Sequence, residues 1–84
     1  MMDKKDIEQK VREILANKLE IPQGKITPES KLTDDLGMDS FSAVELNFEI
    51  EEKCGIEIPE QEMLKIKTVG DIVRYLKNEI KDNG

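Results

Sequence analysis

The stretch that decides the fold is Asp34-Asp35-Leu36-Gly37-Met38-Asp39-Ser40, which ends a long loop and leads into a predicted helix over residues 40–54. This order leaves Ser40 at the helix N-terminus, behind a glycine and among carboxylates. A helix N-terminus offers unpaired backbone N–H groups and a partial positive charge, so it suits a phosphate or a phosphodiester. We therefore interpret Ser40 as a candidate attachment point, although an Asp-Ser pair by itself is a weak signal for modification.

The predicted helix over residues 40–54 has two apolar faces and ends at Gly55, a suitable C′ residue. Successive residues of a helix are turned by about 100°, which brings four apolar residues onto one face that suits a core: Ala43, Leu46, Ile50 and Cys54. The opposite face holds Phe41, Val44 and Phe48, flanked by Glu45, Glu51 and Glu52, with Glu49 a little further round. This second stripe is either buried within the domain or available to a partner or a bound chain. The acids around it favour the latter.

The segments before residue 34 predict one helix and one anchored loop. Apolar residues recur at helical spacing over residues 3–18, with Asp3 as N-cap, and Pro22 requires the helix to end before it. A loop as long as residues 20–38 is usually functional or anchored. We expect a short helical turn at residues 27–30, capped by Thr27. We expect the loop to be anchored by Ile21, Ile26, Leu32 and Leu36.

The segments after residue 54 predict an extended stretch at residues 56–59, a short helix at 60–64 and a last helix over 68–81. Thr68 and Asp71 resemble a capping box at the start of that last helix, and residues 82–84 should fray. The predicted fold is all-α: a small antiparallel bundle of three main helices plus a short third helix, with a long loop between the first and second helices. We expect one domain over residues 1–84.

The composition excludes several classes of function. The chain has no histidine and one cysteine, which removes the usual general base, a Ser-His nucleophile and a Cys-based zinc site. The acids from residue 35 onward do not follow the EF-hand pattern, so we expect no catalytic residues and no specific metal site. Cys54 suits a buried small hydrophobe better than a reactive thiol. No apolar run approaches the roughly 18 residues of a membrane span, so we expect a soluble, cytoplasmic protein.

Acidic residues are concentrated in the central third of the chain. Ten acids and a single base, Lys53, lie between Asp34 and Glu62, whereas bases outnumber acids elsewhere. This placement argues against a nucleic-acid partner and favours partner proteins with basic patches.

From about residue 3 to residue 80 the chain resembles the acyl carrier proteins. Residues 34–40 resemble the family's D-x-x-G-x-D-S attachment site, and residues 44–46, 51–52, 55–60 and 68–71 keep the family's order and spacing. The resemblance implies that Ser40 carries 4′-phosphopantetheine, which a phosphopantetheinyl transferase (holo-ACP synthase) transfers from coenzyme A. The thiol of that group would hold acyl intermediates as thioesters, and the protein itself would not be an enzyme.

The resemblance also implies a docking face for acyl-transfer and synthase enzymes of fatty acid, lipid or related acyl biosynthesis. That face would comprise Asp39, Phe41, Val44, Glu45, Phe48, Glu51, Glu52 and Glu60. We expect a monomer.

Four residues depart from the usual family pattern. Ser42 stands where many members have an acid, Phe41 is larger than the usual leucine, and Asn47 and Glu49 make the helix more polar. These departures favour a specialised carrier, and Phe48 could reduce the room for a long acyl chain between the second and third helices. The alternatives are an aminoacyl or peptidyl carrier, or an acidic helical interaction module without a prosthetic group.

Overall fold

Four α-helices make up the fold in the computed structural model, which describes residues 4–80 of the chain. They are α1 (Lys4–Leu19), α2 (Ser40–Cys54), α3 (Glu60–Met63) and α4 (Val69–Glu79), with a 3₁₀ turn at Gln23–Lys25. The all-α prediction, with a long loop and a short third helix, is confirmed. The predicted Asp3 cap and the predictions for residues 81–84 lie outside the described residues.

The core is aliphatic and lies where α1 packs against both α2 and α4. Each helix contributes the stripe that its periodicity predicts, because residues three and four apart share a helix face. Burying a Leu, Ile or Val side chain contributes roughly 1.5–3 kcal/mol, so these stripes hold the helices together. The helical residues exposed by 1% or less are Ile7, Val11, Ile14, Leu15, Leu46, Ile50, Ile72 and Leu76.

Local signals set the end of α2 and the start of α4 as the sequence predicts, whereas α4 ends at Glu79, short of the predicted residue 81, because Ile80 has extended backbone angles. Gly55 has φ 71°, in the left-handed region that favours glycine, and its N–H donates to the Glu51 carbonyl. Thr68 and Asp71 form the predicted capping box at the start of α4. None of the helices within residues 4–80 is long and apolar enough to cross a bilayer.

The loop between α1 and α2 is fixed against the start of α4. The Leu32 N–H donates to the Lys67 carbonyl (2.9 Å), and the Val69 N–H donates to the Ser30 carbonyl (3.0 Å). Its apolar anchors Ile26 and Leu32 are buried as predicted, whereas Ile21 and Leu36 are half-buried; Met38, which the sequence did not single out, is 4% exposed. The loop therefore holds the entrance to α2 in place.

The short segment at residues 27–30 differs from its prediction. It forms a single turn, in which the Ser30 N–H donates to the Thr27 carbonyl (3.0 Å), instead of a helical turn. The Thr27 side chain does not cap a backbone N–H, because its Oγ1 contacts the Ser30 Oγ instead (3.1 Å), and the Ser30 Oγ also accepts the Thr27 N–H (3.1 Å). The buried Ser30 side chain is satisfied by this bond, which explains a polar residue at a buried position.

Candidate functional site

Ser40 is the first residue of α2, and its side chain is exposed. Asp39 caps the helix, since its Oδ1 accepts the Ser42 N–H at 2.8 Å. That backbone hydrogen bond, helped by the Ser42 side chain, lowers the pKa of Asp39 because it stabilises the charged carboxylate. Asp39 thus has a structural role that the sequence did not reveal, and this role leaves Ser40 displayed at the positive end of a fifteen-residue helix.

The loop before Ser40 is organised by its own polar groups. Asp35 accepts the Lys31 N–H at 2.8 Å, the Met38 N–H donates to the Leu32 carbonyl at 2.9 Å, and Gly37 has φ 71°. The Asp35 carboxylate therefore shapes the loop. Across residues 4–80, no group of three or more Asp, Glu or Cys side chains comes together in an arrangement that could hold a metal ion.

The second apolar stripe of α2 is exposed. Phe41, Val44 and Phe48 are 71%, 58% and 62% exposed, so the interpretation in which this stripe is buried within the domain is wrong. Leu64, at the end of α3, is 72% exposed and adds a fourth apolar side chain that the sequence did not single out. Large apolar side chains clustered at a surface mark sites of interaction.

The acids beside this stripe fall into two groups. Glu51, Glu52 and Glu60 are exposed. Glu45 and Glu49 instead turn toward α1, where their carboxylates lie 3.4 Å and 3.3 Å from the Lys18 Nζ. Partial burial alone would lower the pKa of Lys18, but the hydrogen bond to Glu49 and the charge of Glu45 outweigh it and raise the pKa.

Two grooves meet at Ser40. The first, of about 610 Å³, runs between α2 and α3, and its apolar lining includes Ala43, Val44, Phe48, Pro59, Met63 and Leu64. The second, of about 680 Å³, lies against the loop side of α2 and is lined by Ser40 together with Lys31 and Lys67. Asp34 and Asp39 line this second groove as well, so Ser40 stands between an apolar surface and a surface that carries charges of both signs.

The residues at this position fit a phosphodiester linked through serine. The Ser40 hydroxyl is exposed and the helix end is positive, and the adjoining groove holds Lys31 and Lys67 beside the carboxylates of Asp34 and Asp39. Phosphopantetheine bound there would supply a thiol at the end of a flexible arm.

Asn47 joins the two walls of the α2–α3 groove. Its Nδ2 donates to the Ile58 carbonyl at 2.8 Å, and the Ile58 N–H donates to its Oδ1 at 3.1 Å. The sequence marked Asn47 only as unusually polar. Its partner, Ile58, lies eleven residues away on an extended segment. Neither periodicity nor charge in the sequence predicts that these two residues meet.

The chain is similar to known proteins over most of its length. The family model described as "Phosphopantetheine attachment site" matches residues 9–76. The chain is 44% identical over 75 residues to the acyl carrier protein of Rubrobacter xylanophilus. The aligned region covers 89% of this chain and 93% of that protein. It is 38% identical over 79 residues to the acyl carrier protein of Thermosynechococcus vestitus. That aligned region covers 94% of this chain and 98% of the relative.

A solved structure shares the fold as well. The acyl carrier protein from Enterococcus faecalis superposes with a TM-score of 0.80 at 34% identity, covering 94% of this chain and all of that one. At this coverage and identity the chain belongs to the acyl carrier protein family, with the family's phosphopantetheine attachment domain.

Proposed function

We propose that Ser40 is the residue that carries 4′-phosphopantetheine and that the chain presents acyl thioesters to partner enzymes from this position. The observation that carries the proposal is the exposed Ser40 hydroxyl at the N-terminus of α2, where two grooves meet. A helix N-terminus favours the negative charge of a phosphodiester, and the apolar groove offers a surface beside which an acyl group can lie.

Attachment needs an enzyme other than this chain. The Ser40 oxygen forms a new bond to phosphorus as the nucleotide half of coenzyme A leaves, and the hydroxyl proton must be taken by a base. The chain has no histidine, the commonest general base, to take that proton. A phosphopantetheinyl transferase therefore supplies both the base and the binding site for coenzyme A.

The exposed face of α2 and the start of α3 form the docking surface of the proposed carrier. Its apolar part is the stripe of Phe41, Val44 and Phe48, and aromatic side chains of this kind often anchor interfaces. Its acids attract partner enzymes with basic patches and speed their encounter. The proposed acids are Asp39, Glu45, Glu51, Glu52 and Glu60.

The acyl groups belong to fatty acid, lipid or related acyl biosynthesis in this proposal, and the chain contributes no catalysis of its own. An aminoacyl or peptidyl carrier is the second candidate, which the acidity of α2 does not favour. The single-domain organisation, the monomeric state and the cytoplasmic location stay predictions.

Thioester formation distinguishes the two carrier classes. The chain loaded with phosphopantetheine is offered fatty acyl groups by an acyl-acyl carrier protein synthetase, and amino acids by an adenylating enzyme. We expect a fatty acyl adduct that hydroxylamine releases. An adduct formed from amino acids alone would favour the second candidate, and loading with neither would contradict the carrier proposal.

A further inference from the structure

Lys18 of α1 lies against two acids of α2 at the edge of the proposed docking surface. Its Nζ is 3.4 Å from the Glu45 Oε1 and 3.3 Å from the Glu49 Oε1. These two acids are one helical turn apart, so they lie on the same side of α2. The Lys18 side chain is 16% exposed, whereas that of Glu45 is 48% exposed. The ammonium is therefore largely covered, while the carboxylate that it holds still reaches the surface.

Glu52 provides a comparison within the same helix. It follows Glu45 by two helical turns, which brings the two acids to within about 20° of each other around the axis of α2. Glu52 is exposed, and within residues 4–80 it forms no ion pair. One side of α2 thus carries two glutamates in similar positions, and only Glu45 is engaged by a cation of its own chain.

This difference changes what each glutamate can offer to a partner enzyme. An arginine binds a carboxylate most strongly when it donates to both oxygens at once. The Lys18 ammonium already engages Oε1 of Glu45 and adds a positive charge beside that carboxylate. A partner's arginine must therefore displace Lys18, or accept one oxygen next to a like charge, which is unfavourable. Neither cost arises at Glu52. Displacement is possible, because Glu49 can keep Lys18 in place against α2.

We infer that Lys18 masks Glu45 from partner enzymes and makes it a weaker docking contact than Glu52. This inference rests on the proposed docking surface. Lys18 is a positioning residue that acts through Glu45: it holds one carboxylate toward α1 until a partner releases it. Partners that bind through Glu51, Glu52 and Glu60 avoid the cost of that release, whereas partners that need Glu45 do not. A residue of α1, outside the docking surface, thereby takes part in selecting among basic partners.

The test measures the dissociation constant between the chain, before loading, and a phosphopantetheinyl transferase that binds through a basic patch, by calorimetry at low salt. Lys18→Met keeps an unbranched side chain of similar size. We expect it to lower the dissociation constant about threefold or more, because both oxygens of Glu45 become free for a guanidinium. Lys25→Met removes the same charge at an exposed position of the 3₁₀ turn and should change the constant by less than about 1.5-fold.

A double-mutant cycle separates the release of Glu45 from a general change of charge. Glu45→Gln and Glu52→Gln each remove one acid from the same side of α2, and each should weaken binding. Adding Lys18→Met to Glu52→Gln should still tighten binding about threefold. Adding it to Glu45→Gln should tighten binding no more than Lys25→Met does. If Lys18→Met does not fold, Lys18→Gln also removes the charge and replaces it in every comparison.

Two outcomes would overturn the inference. One is a Lys18→Met chain that binds the transferase no more tightly than Lys25→Met. The other is an equal gain from Lys18→Met in the Glu45→Gln and Glu52→Gln chains. The proposed function fails in a different way: no chain would be loaded on Ser40 from coenzyme A, or neither glutamine variant would weaken binding. The two failures can therefore be told apart.

Discussion

The ammonium of Lys18 lies 3.4 Å from the Glu45 carboxylate, and this ion pair joins α1 to α2 at the edge of the acidic face. The same ammonium lies 3.3 Å from Glu49. The Lys18 side chain is only 16% exposed, so solvent screens these pairs less than it screens pairs at an open surface. Glu45 therefore has a role in the fold besides its place in the proposed docking face, whereas Glu52 belongs to the proposed face and forms no ion pair within residues 4–80.

Reversing these two charges should separate the two roles. Glu45→Lys and Glu52→Lys should each slow loading by the transferase, on the order of tenfold at low salt, because each weakens attraction to a basic partner. Only Glu45→Lys should also lower the melting temperature, since it places a second ammonium beside Lys18. Loading rates over a salt series and thermal unfolding check both statements.

Glu29→Lys is the control, because it makes the same charge change in the loop packed against α4. The rate difference between the unsubstituted chain and the two face variants should shrink as salt rises. Loading that is insensitive to both reversals and to salt would show that the acids are only solvated surface.

The two faces of α2 should respond differently to truncation. Leu46 is fully buried, so Leu46→Ala should cost about 2–5 kcal/mol of unfolding free energy. Phe48 is 62% exposed, so Phe48→Ala should change stability by no more than about 0.5 kcal/mol, yet slow loading by the transferase. Denaturant unfolding and loading rates measure the two effects. A large loss of stability in Phe48→Ala would mean that the stripe is packed within the domain.

Added salt or divalent cation should raise the melting temperature. Ten acids and one base lie between Asp34 and Glu62, and their mutual repulsion in the folded state is screened by ions. Thermal unfolding over a series of sodium chloride and magnesium chloride concentrations tests this expectation, with the divalent salt acting at lower concentration. A melting temperature that is independent of both salts would count against close packing of the carboxylates.

The protein should lose stability in acid as the two capping carboxylates, Asp39 and Asp71, become protonated. Hydrogen bonds from the backbone of Ser42 to Asp39, and from Lys67 and Thr68 to Asp71, lower the pKa of each carboxyl. A lowered pKa stabilises the fold above the unfolded value of about 3.9. That contribution is lost as the pH falls through the folded value. Thermal unfolding should therefore show a decline below about pH 4.

Three single variants and one double variant test whether Asp39 and Asp71 cause the loss of stability in acid. Asp39→Asn and Asp71→Asn should each make it less steep, whereas Asp34→Asn, which changes an exposed loop carboxylate, should leave its slope unaltered. An unaltered slope in the double Asp39/Asp71 variant would contradict the assignment.

Local signals made most of the fold predictable from sequence. The spacing of Leu46 and Ile50, the glycine at residue 55 and the Thr68–Asp71 capping box each act within a few residues, and each gave the correct helix face or boundary. The same helical geometry predicted the second apolar stripe of α2, and the acids around it favoured its exposure. These features depend on short-range backbone chemistry, which the order of residues carries directly.

The missed features depend on residues that only the tertiary fold brings together. Lys18 and Glu45 are 27 residues apart in sequence, and Asn47 and Ile58 lie on different segments. Helical geometry placed Glu45 beside the second apolar stripe without showing its partner on α1. No pattern in the sequence distinguishes Met38 from its loop neighbours, and only the folded loop buries its side chain, to 4% exposed.

The intact mass of the protein after incubation with coenzyme A and a promiscuous phosphopantetheinyl transferase tests the central claim most directly. The account predicts a mass increase of one phosphopantetheine group in the unsubstituted chain and in Ser42→Ala, and no increase in Ser40→Ala. Ser42 lies two residues along the same helix, so it controls for unspecific modification of this surface. No adduct on the unsubstituted chain, or an adduct that survives Ser40→Ala, would contradict the account.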